Sequence, residues 1–135
     1  MASIRRELRI HRPAEDVWPL ISDPGRISEW FPGIVSAEVT QDDEGVARTV
    51  TLATGIPLVE RVVTNDPISH RFQYRITGGV FREHLGTVDL IDLGDRTCLG
   101  VYSTDATPDV MALVIGGATG TALENIKKLA EEGTR

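Results

Sequence analysis

The chain has 135 residues, 14 basic against 20 acidic side chains for a formal charge of −6, and a composition that is 41% hydrophobic and 25% charged. That length fits one compact domain over residues 1–135, and the ordinary composition excludes a disordered or fibrous chain. The acidic excess argues against nucleic acid as a partner, no run of about 18 apolar residues is present to span a membrane, and the lone Cys98 excludes an internal disulfide.

The start, Met-Ala-Ser-Ile-Arg-Arg-Glu, lacks the apolar core of a signal segment, so a cytoplasmic location is expected. Residues 3–11 alternate. Ile4, Leu8 and Ile10 share one parity with Arg6, and Arg5, Glu7, Arg9 and His11 share the other, which predicts a half-buried strand. Pro13, then Glu15 and Asp16 near the positive helix end, open a short helix with Val17, Trp18 and Ile21 on its apolar face. Asp23-Pro24-Gly25 ends it. A second short helix over about 26–31 closes at Pro32-Gly33.

From residue 34 to 104 the pattern is strand, turn, strand. Val35, Ala37 and Val39 alternate with polar neighbours, and Asp42-Asp43-Glu44-Gly45 turns the chain. Val46, Val50 and Leu52 alternate next, and Gly55-Ile56-Pro57 interrupts. A strand over 58–64, the turn Asn65-Asp66-Pro67 and the run Phe72, Tyr74, Ile76 lead to Gly78-Gly79. Val88 and Leu90 alternate, Gly94-Asp95 turns, and residues 99–104 return. Such short spacing predicts an antiparallel meander.

Pro108 and Asp109 open a last helix, in which Met111, Ile115, Ala118, Ala122, Ile126 and Leu129 repeat at three or four residues, with Gly133 as a C-terminal cap. Gly116, Gly117 and Gly120 are each unfavourable there by roughly 0.8–1.0 kcal/mol relative to alanine. Either they make room for a ligand or a bend, or the helix begins later, near Thr121. The expected fold class is α+β: a curved antiparallel sheet of about seven strands, with two short helices, wrapped around one long C-terminal helix.

The segment Arg12-Pro-Ala-Glu-Asp-Val-Trp-Pro-Leu-Ile-Ser-Asp-Pro and the following Trp30-Phe31-Pro32-Gly33 resemble the START/Bet v 1-like helix-grip superfamily. Within it the chain looks like the bacterial polyketide cyclase/dehydrase-like (SRPBCC) proteins over its whole length. The middle is similar to the plant abscisic-acid receptors of the same superfamily. Thr54-Gly55-Ile56-Pro57 resembles their gate loop, Glu60-Arg61-Val62 their Glu-Arg-Leu segment, and Tyr74-Arg75-Ile76-Thr77-Gly78-Gly79 the strand before their latch. Arg82 falls on the latch arginine and Asn125 on a pocket asparagine. The receptor lysine, however, falls at Glu29, the latch histidine at Phe81, a pocket glutamate at Gly100 and a bulky helix residue at Gly117, so the resemblance does not carry hormone reception with it.

Glu60 shares the inward parity of Leu58 and Val62. A carboxylate there is costly unless paired or solvated. It reads as a contact to a ligand or water, as a structural ion pair with Arg82 or Arg6, or as a general base. Tyr74 and Tyr102 read as core aromatics with one hydrogen bond, or as groups that orient a ligand oxygen. Gly78-Gly79-Val80-Phe81-Arg82-Glu83-His84 reads as a mobile lid or an exposed hairpin turn. His11, His70 and His84 stand far apart with no partners at metal spacing, no serine lies in a nucleophile motif, and Gly116-Gly117-Ala118-Thr119-Gly120 lacks the Lys-Ser or Lys-Thr of a phosphate loop. No metal or cofactor is implied.

The leading expectation is enclosure of a small, largely hydrophobic ligand (lipid, polyketide or isoprenoid-like) between sheet and helix. Val50, Leu52, Tyr74, Ile76, Val88, Tyr102, Met111, Ile115 and Ala118 are expected as walls. Glu60, Arg82 and Asn125 set orientation, Ile56, Pro57, Phe81 and Arg82 close the entrance, and Trp30, otherwise a packing residue, lies near it. The family resemblance implies an alternative, a polyketide aromatase/cyclase or dehydratase using Glu60, Tyr74 and Arg82 as base, proton donor and oxyanion partner. A third is a ligand-dependent protein-interaction module. A monomer or weak homodimer is expected.

Overall fold

Strand β1 (Ala2–Ile10) buries Ile10 fully and Ile4 and Leu8 in part, as its alternation predicts. Helix α1 (Ala14–Ser22) follows with Pro13 just before its first turn, where a missing N–H is harmless. It buries Val17, Trp18, Leu20 and Ile21. The second expected helix divides into a 3-10 turn (Pro24–Arg26), whose first N–H groups are held by Asp23, and a one-turn α2 (Ile27–Trp30). Six strands come next: β2 (Ile34–Asp42), β3 (Gly45–Leu52), β4 (Pro57–Asp66), β5 (Arg71–Thr77), β6 (Glu83–Asp92) and β7 (Cys98–Thr107). Helix α3 (Asp109–Glu132) closes the chain, capped at Gly133. The computed structural model describes residues 1–133; Thr134 and Arg135, the end of the expected domain, lie outside the described residues.

All seven strands form one sheet in the order β1-β7-β6-β5-β4-β3-β2, with every neighbouring pair antiparallel. β2 to β7 are a plain meander, and β1 joins its far edge beside β7. The helices between β1 and β2 carry the chain from one edge of the sheet to the other. Shifts of register at Ile34/Ser36 and Val62/Thr64 bend the sheet around α3. This is the α+β helix-grip architecture.

Helix α3 begins at Asp109, so its glycines are inside it and the later start near Thr121 does not occur. Its buried face also differs from the predicted one. Ala112, Gly116, Thr119 and Leu123 are buried together with Ala122 and Ile126, whereas Met111, Ile115, Ala118 and Leu129 are half-buried. The glycine at 116 sets the approach to β1: a Cβ there would lie 2.7 Å from Ile4 Cγ2. Gly117 faces open space. Small residues thus let this end of the helix approach the strand rather than leave room for a ligand. Packing of α3 falls on β1 and β7, so the concave face over β3, β4 and β5 is left with no helix seated directly on it.

Two neighbouring glycines should therefore respond in opposite directions. Gly117→Ala gains helix propensity without a clash and should stabilise the fold by about 0.5–1 kcal/mol. Gly116→Ala forces the stiff Ile4 side chain to move and should destabilise it by about 1 kcal/mol or more. Chemical denaturation of both variants checks the pair.

Candidate functional site

A cavity of about 190 Å³ opens between the uncovered half of the sheet and the first half of α3. β3 contributes Val50 and Leu52, β4 Leu58 and Glu60, and β5 Tyr74 and Ile76. Met111 and Ile115 come from α3, Phe31 and Ile34 from the end of α2 and the start of β2, and Phe81 from the β5–β6 connection. The wall is apolar except for the Glu60 carboxylate and the Tyr74 hydroxyl. A larger groove of about 410 Å³ lies between Leu8 and the C-terminal turns of α3. It is open to solvent and walled by Glu124, Lys127, Lys128, Glu131 and Glu132, with Lys127 already paired to Glu131. An open charged groove offers little apolar enclosure, so the smaller cavity is the candidate site.

Glu60 is buried, as its parity predicts, but its partner is neither Arg82 nor Arg6. It is Arg48, directly opposite on β3 and itself 0% exposed. Arg48 Nε donates to Glu60 Oε1 at 2.7 Å, and its Nη1 donates to the Pro24 carbonyl at 3.1 Å. The guanidinium carbon stands 4.7 Å from the ring centre of Tyr74 and 5.3 Å from that of Phe72, within range of cation–π attraction. The other carboxylate oxygen, Oε2, makes no hydrogen bond to a described residue. Burial raises the Glu60 carboxyl above its ordinary range, against the lowering pull of Arg48.

Tyr74 and Tyr102 share a hydrogen bond between their hydroxyls at 2.5 Å, both fully enclosed. Burial pushes both phenols well above their ordinary range. Gly86 makes the pair accessible: a Cβ at that position would lie 2.5 Å from Tyr74 Cζ. Only glycine lets the ring lie across β6 toward β7.

His84 ends the segment whose composition predicts a mobile lid or an exposed hairpin turn. The structure puts it in β6, 2% exposed. The β5–β6 ladder stops at Tyr74↔Gly86, and beyond it the imidazole takes over as acceptor: Ile76 N–H donates to His84 Nδ1 at 3.0 Å. An Nδ1 that accepts carries no proton, so the neutral ring holds its proton on Nε2. Burial, aided by Arg75, pushes the imidazole down to about 4, with Asp105 opposing. Nε2 is buried with no partner among the described residues, as is Thr104 Oγ1.

The other expected site residues fall outside the cavity wall. Trp30 is a core residue whose Nε1 donates to the Leu20 carbonyl at 2.9 Å. Asn125 spends its amide on the Trp30 carbonyl, tying α3 to α2. Tyr102 and Val88 lie 0% exposed in the core. Ala118 is half-buried and Ile56, Pro57 and Arg82 are exposed. Over Gly100, the position of the receptor glutamate, the Leu123 side chain fills the space. Arg48 is the residue the sequence reading missed, yet its signal was present: Arg48 and Glu60 stand symmetrically about Thr54, on inward parity, across a turn. Among the described residues, no group of three or more His, Cys, Asp or Glu side chains converges as a metal site, and no helix is long and apolar enough to cross a membrane. Burial lifts the Cys98 thiol to about 11, which makes it a poor nucleophile.

A family model described as polyketide cyclase/dehydrase and lipid transport matches residues 1–131. No curated protein matches the chain. Among solved structures, XoxI from Bacillus cereus superimposes with a TM-score of 0.87 at 21% identity, covering 100% of this chain and 99% of that one. Norcoclaurine synthase from Thalictrum flavum, in complex with dopamine and hydroxybenzaldehyde, gives 0.77 at 20% identity over 99% of this chain and 88% of the other. The di-domain ARO/CYC BexL of the BE-7585A biosynthetic pathway gives 0.81 at 14% identity, covering 97% of this chain and 47% of BexL. At such identities these structures share the fold with this chain.

Removing one member of the buried ion pair leaves the other uncompensated. Arg48→Met should destabilise the protein by about 3–5 kcal/mol, and adding Glu60→Leu should restore most of that loss. Denaturant unfolding of the single and double variants checks this. His84 makes a separate pH signature. Its folded pKa of about 4 lies below the ordinary 6.5, so between those values the unfolded chain binds the extra proton. Its contribution to stability is therefore complete above about pH 6.5 and is lost as pH falls toward 4. Glu60, raised from 4.5, acts in the opposite sense, with its contribution lost as pH rises through its folded value. By NMR, the His84 ring signals should keep their neutral positions down to about pH 5; a midpoint near the ordinary value would refute the assignment.

Proposed function

The chain belongs to the polyketide cyclase/dehydrase and lipid transport family, and from that starting point we propose that it binds a small, largely apolar ligand in the cavity beneath α3. The observation that carries this reading is the cavity itself, which is apolar on nearly every side and has one carboxylate in its wall. Removal of ligand surface from water drives binding, at about 25 cal/mol per Å². The unbonded oxygen of Glu60 and the Tyr74 hydroxyl supply orientation. An apolar cavity of about 150 Å³ is enough to hold benzene. A volume of about 190 Å³ therefore suits a substituted single ring or a short branched chain. The dopamine and hydroxybenzaldehyde of the norcoclaurine synthase complex are single-ring molecules of that scale.

A longer lipid, polyketide or isoprenoid chain requires the two connections beside the cavity to part. Gly55 in the first, and Gly78 and Gly79 in the second, hold positive φ, and Phe81 reaches from the second connection into the cavity wall. These segments are the gate and latch of the reading. A catalytic reading is favoured by one observation, the raised, half-bonded carboxylate of Glu60 beside the phenol of Tyr74, which suits proton transfer. Arg82, the expected oxyanion partner, is exposed and does not line the cavity.

Native mass spectrometry of protein purified gently from its source cell should show an adduct that denaturation releases. Ile115→Trp fills the cavity from α3. It should lower adduct occupancy about tenfold or more and leave the melting temperature within a few degrees. Equal occupancy in that variant overturns the cavity assignment. Chemical conversion of the adduct that disappears in Glu60→Gln shifts the function to catalysis.

A further inference from the structure

We propose that His84 is the specificity-determining donor of the site, its Nε2–H hydrogen-bonding a carbonyl oxygen on the ligand. The inference rests on the reading that the cavity holds a ligand, and it names the chemical class of that ligand.

Three features of the imidazole lead there. Its tautomer is fixed, because Nδ1 accepts the Ile76 N–H at 3.0 Å and leaves the proton on Nε2. Its charge is fixed, because burial keeps the ring neutral near pH 7. Its remaining donor is unsatisfied: Nε2 is buried and has no partner among the described residues. A buried polar group without a partner is costly, and each one in a native structure calls for an explanation.

The imidazole is not itself in the cavity wall but lies directly behind it. The imidazole centre is 5.1 Å from that of Phe81 and 5.5 Å from that of Tyr74, and both rings line the cavity, as does Ile76. Phe81 packs edge-on against the imidazole. For Nε2 to meet the ligand, this one side chain, carried after two glycines with positive φ, must turn aside.

A second unsatisfied group lies nearby on the same face of the sheet. His84 pairs with Ala106 and Gly86 with Thr104, so His84 and Thr104 are diagonal neighbours across β6 and β7. Thr104 is 1% exposed and its hydroxyl has no partner among the described residues. The Tyr74 ring fills the space over Gly86, the residue paired with Thr104, so Nε2 is the donor this proposal uses. A carbonyl oxygen accepts from such a donor and brings no proton of its own to satisfy. A carboxylate fits poorly, because Glu60 is in the same wall.

The test uses two probes of one shape, acetophenone and α-methylstyrene, in which a methylene group replaces the carbonyl oxygen. Each is titrated into protein labelled with ¹⁵N-histidine and followed by NMR. Both should bind, acetophenone about three- to tenfold more tightly. Only acetophenone should move the His84 Nε2–H signal downfield. His84→Phe should abolish the preference, and the label in the unaltered protein reports even where that variant fails to fold. Equal affinities with an unmoved Nε2–H signal overturn the role of His84 and leave the apolar cavity intact. Absence of binding by both probes overturns the cavity reading, and this inference with it.

Discussion

The structure depends most on one buried charge pair. Arg48 and Glu60 face each other across β3 and β4, both essentially without solvent. Desolvating two charges costs several kcal/mol each, and Coulomb attraction offsets that only when further hydrogen bonds and close geometry assist. Here they do. The guanidinium also donates to the Pro24 carbonyl and lies against the rings of Phe72 and Tyr74. One side chain thus ties the turn before α2 to the sheet, holds two aromatic rings in place and keeps a carboxylate at the cavity wall. An apolar replacement of the pair could be as stable, but it would leave the cavity with no anionic wall.

The cavity itself follows from where α3 can and cannot come close. At Gly116 the helix comes within a methyl group of Ile4, and at Gly100 the strand has no side chain, so Leu123 and Ile10 pack over it. These small residues pull α3 toward β1 and β7. The same helix cannot then also sit on β3 to β5, where larger side chains such as Leu52, Leu58 and Ile76 stand from the sheet. Enclosure there depends on half-buried Met111, Ile115, Phe31 and Phe81 around the rim.

Polar chemistry inside this apolar space is arranged in two ways. The Tyr74 and Tyr102 hydroxyls share one hydrogen bond, which needs Gly86 beneath the Tyr74 ring. His84 satisfies half of its capacity by completing the ladder that β5 and β6 abandon. Each arrangement leaves one donor over, an O–H of the tyrosine pair and the Nε2–H of His84. The family and the fold are common ground with proteins of very different chemistry, so what distinguishes this chain is such side-chain placement rather than architecture.

Strand alternation in Phe72, Tyr74 and Ile76, the glycine-marked turns and the helical period after Pro108 were enough to read the meander, the long last helix and the inward carboxylate from sequence. These are local properties, because a parity or a period is set by the backbone geometry of one element. The face of α3 that is buried, the partner of Glu60, the placement of Asn125 and the interior position of His84 were decided by tertiary structure. Each depends on which residues distant in sequence meet: Ile4 with Gly116, Arg48 with Glu60, Trp30 with Asn125, Ile76 with His84. A parity says that a side chain points inward. Only the register of strands and the seat of the helix say whether it meets an ion partner, a backbone group or the cavity.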